Sequence, residues 1–168
     1  ASETVYVEGG TVYVGSEDTR IYSFQAAGEL MWSFETGGQI SSSSAVGSDA
    51  VYIGSDDNRL YCLTHSGEFS WSYESGADVT SSPALGNNWR VYVSSKDNTL
   101  YALGADGSLH WSFATAYLTA SSPALNYDGR LYIGSADAIL YCIGETAYIP
   151  PTITPTPTMS PTSTPSGT

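Results

Sequence analysis

One motif occurs four times in this chain and occupies most of its length. The pentapeptide Val-Tyr-Val-Gly-Ser at residues 12–16 recurs with small changes at 51–55, 91–95 and 131–135, in steps of 39, 40 and 40 residues. A Leu-Tyr or Ile-Tyr pair follows each copy, and a tryptophan follows the first three. A period of this length is typical of a propeller or a solenoid, in which each repeat is one supersecondary unit. The sequence therefore predicts a repeat architecture.

Each repeat predicts four short β-strands. In the second repeat they fall at about 42–46, 51–55, 60–64 and 69–74, and the segments between them are rich in Gly, Asp, Asn and Ser. The strand segments are rich in Val, Ile, Tyr, Phe and Trp, which suit a half-buried sheet, whereas the first strand of most repeats has small residues that suit a crowded propeller axis. We therefore expect an all-β protein, with a β-propeller of four blades of four antiparallel strands over residues 1–147.

The composition changes at about residue 148. From there the chain is almost entirely Pro, Thr and Ser, and the outer strand of the fourth blade would have to include Pro150 and Pro151. Such a segment cannot bury a core and is typical of secreted linkers and O-glycosylated stalks. We expect an extended tail over residues 148–168, either unmodified or carrying glycans on its threonines, which are Thr152, Thr154, Thr156, Thr158, Thr162 and Thr164.

Charge and hydropathy exclude some partners. The chain has 17 acidic residues, 5 Lys or Arg and a net charge of −12, which would repel nucleic acid. No stretch is long and apolar enough for a membrane span, and the chain starts at Ala1 as a mature exported protein would. Cys62 and Cys142 occupy the same position two repeats apart, too far for a disulfide, so we expect two free thiols. The start at Ala1 and the Pro/Thr-rich tail favour an extracellular or cell-surface protein.

Two residue types recur at fixed places. An aspartate lies between the second and third strands of every repeat, at Asp18, Asp57, Asp97 and Asp137. These carboxylates can be a ring of cation ligands, but an Asp in every hairpin more often accepts hydrogen bonds from its own turn, which we favour. The repeated tryptophans can stack on sugars or partner side chains. One at the same place in each blade is more typical of packing between blades, and these are Trp32, Trp71 and Trp111.

The sequence has no recognisable catalytic arrangement. His65 and His110 lack partners at zinc spacing, and there is no calcium loop, nucleophile elbow or phosphate-binding loop. We therefore expect no enzyme, no cofactor and no metal site. The loops offer only scattered candidates for a ligand site, which are Asn87, Asn88, Trp89, Tyr117 and Tyr127.

The combined pattern resembles that of a known family. The order Tyr-Val/Ile-Gly-Ser-x-Asp-x-x-Leu-Tyr, Gly-x-x-x-Trp-Ser-Phe and Ser-Ser-Pro-Ala, from residue 3 to about 145, is similar to the pyrroloquinoline-quinone-type propeller repeat. That family includes quinoprotein dehydrogenases and cofactor-free relatives, among them a propeller lipoprotein of bacterial outer-membrane protein assembly. The resemblance implies that the three repeated tryptophans dock adjacent blades. The chain lacks the dehydrogenases' cofactor and calcium residues and their vicinal cysteines, so the cofactor-free, interaction-type branch is the closer likeness.

The number of blades bears on function. Rings in this family commonly have about seven or eight blades, whereas this chain supplies four. A half-ring exposes apolar faces at its ends, so two can close as a dimer, or many can join head to tail as a filament. We expect a non-catalytic secreted propeller for protein–protein association, either with itself in an oligomer or filament or with other extracellular proteins. The alternatives are a sugar- or peptide-binding propeller tethered by the Pro/Thr linker, and a fragment of a quinoprotein-like enzyme.

Overall fold

The computed structural model describes residues 4–7, 10–87, 89–117 and 121–144, with side chains from residue 10 onward. These ranges form fifteen strands and no helix. The strands are β1 (Thr4–Val7), β2 (Thr11–Gly15), β3 (Arg20–Gln25), β4 (Leu30–Glu35), β5 (Ala45–Val46), β6 (Ala50–Gly54), β7 (Arg59–Thr64), β8 (Phe69–Glu74), β9 (Ala84–Leu85), β10 (Arg90–Ser95), β11 (Thr99–Gly104), β12 (Leu109–Ala114), β13 (Ala124–Leu125), β14 (Leu131–Gly134) and β15 (Leu140–Ile143).

The strands form four antiparallel sheets, one for each repeat. Each sheet pairs its strands in chain order: β1 to β4, β5 to β8, β9 to β12 and β13 to β15. The predicted all-β propeller architecture is confirmed. The outer strand predicted for the fourth blade and the Pro/Thr-rich segment lie outside the described residues, and the boundary at 147/148 stays a prediction.

The innermost strands lie next to one another around the axis. β1 contacts β5, β5 contacts β9, and β9 contacts β13. Small residues just before these strands allow the close approach. Ser82 Oγ accepts a hydrogen bond from Ser43 N, and Ser122 Oγ accepts one from Ser82 N, both at 2.9 Å. The Ser-Ser pairs of the second and third blades therefore tie the segment before each first strand to the next blade.

The core lies between the sheets and is divided into three apolar clusters. The cluster between the first two blades includes Tyr13 and Ile21 from one sheet and Ile53 and Leu63 from the other. The same arrangement recurs between the second and third blades and between the third and fourth. The apolar faces that meet between two sheets are thus buried by the neighbouring blade, not by a core within one sheet.

Successive turns alternate between the two ends of the sheets. The first and third turns of a blade lie at one end, which we name the upper face, and the second turn lies at the other end with the connection to the next blade. The repeated aspartates therefore lie at the lower end, whereas the turns that follow the third strands lie on the upper face.

Candidate functional site

The tryptophans of the outer strands lie between adjacent blades. Trp32 Nε1 donates a hydrogen bond to the His65 carbonyl oxygen of the second blade at 2.9 Å, and Trp71 Nε1 donates one to the Ala105 carbonyl oxygen of the third at 2.8 Å. Trp111 packs on Tyr92 of its own blade, with ring centroids 5.9 Å apart, and the residue that would receive its bond, 145, lies outside the described residues. The first two indoles thus connect each blade to a backbone atom of the next.

A glycine receives each docked indole. Gly67 and Gly107 follow the acceptor residues in the third turn and have φ angles of 85° and 82°. An added Cβ at Gly67 would lie 2.5 Å from Trp32, and one at Gly107 would lie 2.7 Å from Trp71. These positions require glycine both for the left-handed backbone and for the close approach of the ring.

The repeated aspartates of the second and third blades accept bonds from their own turn and from the preceding blade. Asp57 Oδ1 accepts a bond from Arg59 N at 3.1 Å, while its Oδ2 accepts bonds from the Tyr61 hydroxyl at 2.6 Å and from Gly37 N at 2.7 Å. Gly37 belongs to the connection leaving the first blade. The third blade repeats the arrangement with Asp97 and its partners Thr99, Tyr101 and Gly76.

The bond between each of these aspartates and the preceding blade was not predicted from the sequence. The sequence favoured an aspartate that bonds to its own turn, and the structure places the same side chain across the joint between blades as well. A signal was present, because Gly-Gly at 37–38 and Gly76 stand 20 or 21 residues before Asp57 and Asp97. At Gly37 an added Cβ would lie 2.7 Å from an Asp57 carboxylate oxygen, so a small residue is needed there.

The bonds of the joint shift several pKa values. Burial, followed by the hydrogen bond to Asp57, raises the pKa of Tyr61 to about 12, and burial followed by the bond to Asp97 does the same for Tyr101. In the end blades, the bond from the Tyr22 hydroxyl lowers the pKa of Asp18, and the bond from Tyr141 lowers that of Asp137. Near neutral pH the raised pKa values of Tyr61 and Tyr101 keep these phenols neutral, and the lowered pKa values of Asp18 and Asp137 keep these two carboxylates charged.

The two thiols lie at equivalent places in different surroundings. Cys62 is buried between the second and third blades, and this burial raises the pKa of its thiol to about 11. Cys142 lies on the fourth blade and is partly exposed. Both are free.

The fourth blade presents an uncovered sheet surface, which we name the trailing face. It contains Tyr132, Leu140 and Cys142, whose equivalents in the middle blades face the next blade. Leu140 is 62% exposed, whereas its equivalents Leu60 and Leu100 are both 0% exposed. No described residue takes the place of a following blade on this surface.

The first blade presents the complementary surface, which we name the leading face. It contains Val12, Val14, Tyr22 and Phe24, all partly exposed, whereas the equivalent residues of the second blade are buried against the first. An added Cβ at Gly28, the equivalent of Gly67, would meet nothing within 4 Å. An open hollow of about 510 Å³ lies beside this turn, lined by Gly10, Thr11, Gln25, Ala26, Ala27 and Met31.

The candidate ligand residues divide between the two ends of the propeller. Asn87, Trp89 and Tyr127 lie in first turns on the upper face, where two cavities open. Tyr117 lies at the lower end, where its carbonyl oxygen accepts bonds from Thr115 Oγ1 and Ser135 Oγ. Asn88 lies outside the described residues, as do the six threonines predicted to carry glycans.

Neither a metal cluster nor a membrane span is found in the part of the chain that the structure describes. No three His, Cys, Asp or Glu side chains there are grouped as metal ligands. The same part has no helix that could serve as a membrane span.

Comparison with known proteins identifies similar sequences and folds. A family model described as outer membrane protein assembly factor BamB matches residues 17–145. The crystal structure of BamB from Moraxella catarrhalis matches with a TM-score of 0.70 and 17% identity, over 86% of this chain and 47% of that one. The crystal structure of the computationally designed Ika8 protein matches with a TM-score of 0.73 and 14% identity, over 87% of this chain and 45% of that one.

Both structural matches cover most of this chain, but this chain spans just under half the length of each of the two solved structures. No curated protein sequence matches it. At these identities the structural likeness shows the fold alone.

Proposed function

Because the chain belongs to the family of the outer membrane protein assembly factor BamB, we propose that it is a non-catalytic propeller that binds proteins, in the first place a second copy of itself. The fold is that of a protein-interaction module. We propose a location outside the cytoplasm, at the cell surface, which agrees with the acidic composition and with the tail typical of secreted linkers. The recurrent aspartates and tryptophans support a role without catalysis, because they are used in the joints between blades.

The exposure of Leu140 carries this proposal. A leucine at this position is fully buried in the second and third blades, where the next blade covers it. Burying one leucine side chain stabilises a structure by about 1.5 to 3 kcal/mol, so an uncovered trailing face favours association. An exposed apolar surface on a soluble domain commonly marks an interface.

A second copy fits the trailing face better than an unrelated protein does. The leading face of the first blade has the same residue types that cover the trailing side of each internal blade, including an aspartate bonded to a tyrosine hydroxyl, Asp18 to Tyr22 at 2.7 Å. The contact would continue the interface already made three times within the chain. It joins unlike surfaces, so it is a head-to-tail contact.

The length of the chain favours closure after two copies. One copy covers just under half of each solved structure it matches, so two copies supply the length of one such protein. A head-to-tail contact that closes after two copies gives a twofold ring, whereas one that does not close gives a filament. We propose the ring as the assembly and retain the filament as the outcome to be distinguished by microscopy.

The new joint differs from the internal ones at one position. The residue 40 positions after Trp111 is Pro151, so the fourth repeat has no tryptophan to dock on the turn around Gly28. Lacking the indole and its hydrogen bond, the joint between copies is expected to be weaker than the joints within the chain. We therefore propose a reversible, concentration-dependent assembly.

Light scattering coupled to size-exclusion chromatography tests the proposal over a range of protein concentrations. The wild-type chain is expected to exceed its monomer mass of 17.8 kDa, and Leu140→Glu is expected to remain monomeric because it places a charge in the apolar contact. Leu109→Glu is the matched control. Leu109 is 49% exposed but lies on an outer strand away from the trailing face, so its replacement should leave association unchanged.

Two results would contradict self-association. One is a monomeric wild-type chain up to about 1 mM, a concentration at which a contact worth about 4 kcal/mol is already half occupied. The other is equal association of Leu140→Glu and the wild type. If the wild-type chain does associate, negative-stain images distinguish closed rings from filaments.

A further inference from the structure

Two cavities lie side by side on the upper face. The first turn of the third blade separates them, since Leu85 and Gly86 line both. The cavity toward the fourth blade has a volume of about 240 Å³ and is lined, among others, by Asn87, Tyr92, Tyr127 and Asp128. The cavity toward the second blade has a volume of about 340 Å³ and is lined, among others, by Ser48, Asp49, Trp89 and Arg90.

The first turns of the third and fourth blades are longer than the first turn of the second blade. Four residues separate the paired Val46 and Val51, whereas five separate Leu85 from Val91. The fourth blade has the longer turn as well. The longer turn needs one residue in the left-handed region, which is Gly129 in the fourth blade, with φ 78°.

In the third blade this left-handed position is occupied by Trp89, with φ 62°. A bulky residue in this region is unusual and costs about 1 to 2 kcal/mol relative to glycine. Packing does not compensate for this cost, because the side chain is 72% exposed. A strained and exposed residue beside a cavity indicates a role in binding.

A second aromatic ring lies in the next first turn. Tyr127 is 93% exposed and lines the smaller cavity, as Trp89 lines the larger one. These two aromatic residues are far apart in the sequence, but the fold brings them to the same face on neighbouring blades. Asn87 and Asp128 at one cavity and Ser48 and Asp49 at the other supply polar atoms at the rim.

This set of groups suits a carbohydrate. One face of a pyranose ring is made of C–H groups and stacks on an indole or phenol ring, while its hydroxyls need both donors and acceptors. Carboxamide, hydroxyl and carboxylate side chains provide these at fixed positions. One arginine, Arg90, lines the larger cavity, but the two carboxylates and the net charge of −12 outweigh it and disfavour an anionic sugar. The volumes of about 240 and 340 Å³ lie below and at the lower end of the range for drug-sized ligands, and each cavity suits a single sugar ring.

We propose that the upper face binds a neutral oligosaccharide across the first turn of the third blade, with one ring stacked on Trp89 and another on Tyr127. The two rings occupy the two cavities, and the side chains at the rim bond to the hydroxyls. This site is separate from the leading and trailing faces, so binding does not depend on self-association.

Isothermal titration calorimetry with defined probes tests this site. The neutral probes are cellohexaose, mannohexaose and chitohexaose, the anionic probe is an oligogalacturonate of the same length, and the peptide probe is an octamer of alternating Pro and Thr. At least one neutral probe is expected to bind, and the anionic probe and the peptide are not. Trp89→Gly is expected to weaken that binding about tenfold or more, as the loss of a central aromatic contact does.

The stability of Trp89→Gly provides a second test. If Trp89 stabilised the fold, its replacement would lower the midpoint of urea unfolding. Trp89→Gly places glycine where the fourth blade already has it, so the midpoint of urea unfolding should rise while binding is lost. Tyr117→Ala, at the lower end, is the control and should leave binding unchanged. The proposal is overturned if no neutral probe binds, if Trp89→Gly retains affinity or lowers the unfolding midpoint, or if only the peptide binds at Trp89.

Discussion

At the scale of single residues, a carboxylate connects two blades by accepting three hydrogen bonds. Asp57 receives a backbone N–H from its own turn, the hydroxyl of Tyr61 and the backbone N–H of Gly37 in the preceding blade. Hydrogen bonds to an ionised group contribute about 1.5 to 3 kcal/mol each, roughly twice as much as neutral ones. A short side chain in a turn is thus a principal polar contact of the joint.

The phenol of this arrangement makes stability depend on alkaline pH. The folded pKa of Tyr61, about 12, lies above its ordinary value of 10.0, so the stabilisation is present below pH 10 and is lost as pH rises through 12. The unfolding free energy from urea titrations is expected to fall over this window, with each such tyrosine contributing up to about 1.4 kcal/mol per pH unit.

Tyr61→Phe is expected to make this dependence shallower. Tyr22→Phe is the matched control, because Tyr22 makes the same bond to Asp18 with no neighbouring sheet against it, and its replacement should change the slope less. An unchanged slope in Tyr61→Phe would exclude this tyrosine as a source of the alkaline sensitivity.

At the scale of elements, the joint between blades depends on a turn that accepts an indole. Gly67 combines a left-handed backbone with contact to Trp32, whereas Gly28, its equivalent in the first blade, has the backbone without the contact. The comparison of these two positions separates the energy of the backbone from that of the docking contact.

Replacement of each glycine by alanine measures the two contributions. Gly28→Ala is expected to cost about 1 to 2 kcal/mol of unfolding free energy, from the left-handed conformation alone. Gly67→Ala is expected to cost a further 1 to 3 kcal/mol, because its methyl group would displace Trp32. Urea unfolding at a concentration below self-association gives both values. Equal losses would show that the close approach of Trp32 adds no cost to the substitution at Gly67.

The sequence predicted the elements better than it predicted the surfaces. The period placed the sheets and their strand order, and β8 begins and ends where the pattern predicts it, because alternating aromatic and small residues specify a half-buried strand. The bond between Asp57 and Gly37 and the gathering of Trp89 with Tyr127 were not predicted. Both join residues of different repeats, and the pattern within one repeat does not give the distances between side chains of neighbouring repeats.

At the scale of the whole molecule, four blades share three joints, and the two outward faces have none. The middle blades are covered on both sides and the end blades on one, so stability differs along the arc. Association of the trailing face with a leading face would cover the end blades as well. The net charge of −12 opposes this association, which should therefore strengthen as salt is added.

The two cysteines report on this asymmetry. Cys62 is 2% exposed between two blades, whereas Cys142 is partly exposed on the trailing face. Iodoacetamide followed by mass spectrometry is expected to label Cys142 in the folded protein and Cys62 only after unfolding. Labelling of Cys142 should slow as protein concentration rises, while that of Cys62 stays constant. Equal labelling of both thiols at low concentration would contradict the uncovered trailing face.

The tryptophans of the internal joints bond to backbone atoms, which makes it easier for such chains to gain or lose repeats in evolution. Trp32 and Trp71 bond to carbonyl oxygens of a histidine and an alanine, so the receiving residue need not be of any particular type. A duplicated or deleted repeat would therefore meet an acceptable neighbour from the start. Gene duplication can lengthen or shorten such an array one blade at a time without first evolving a matching contact.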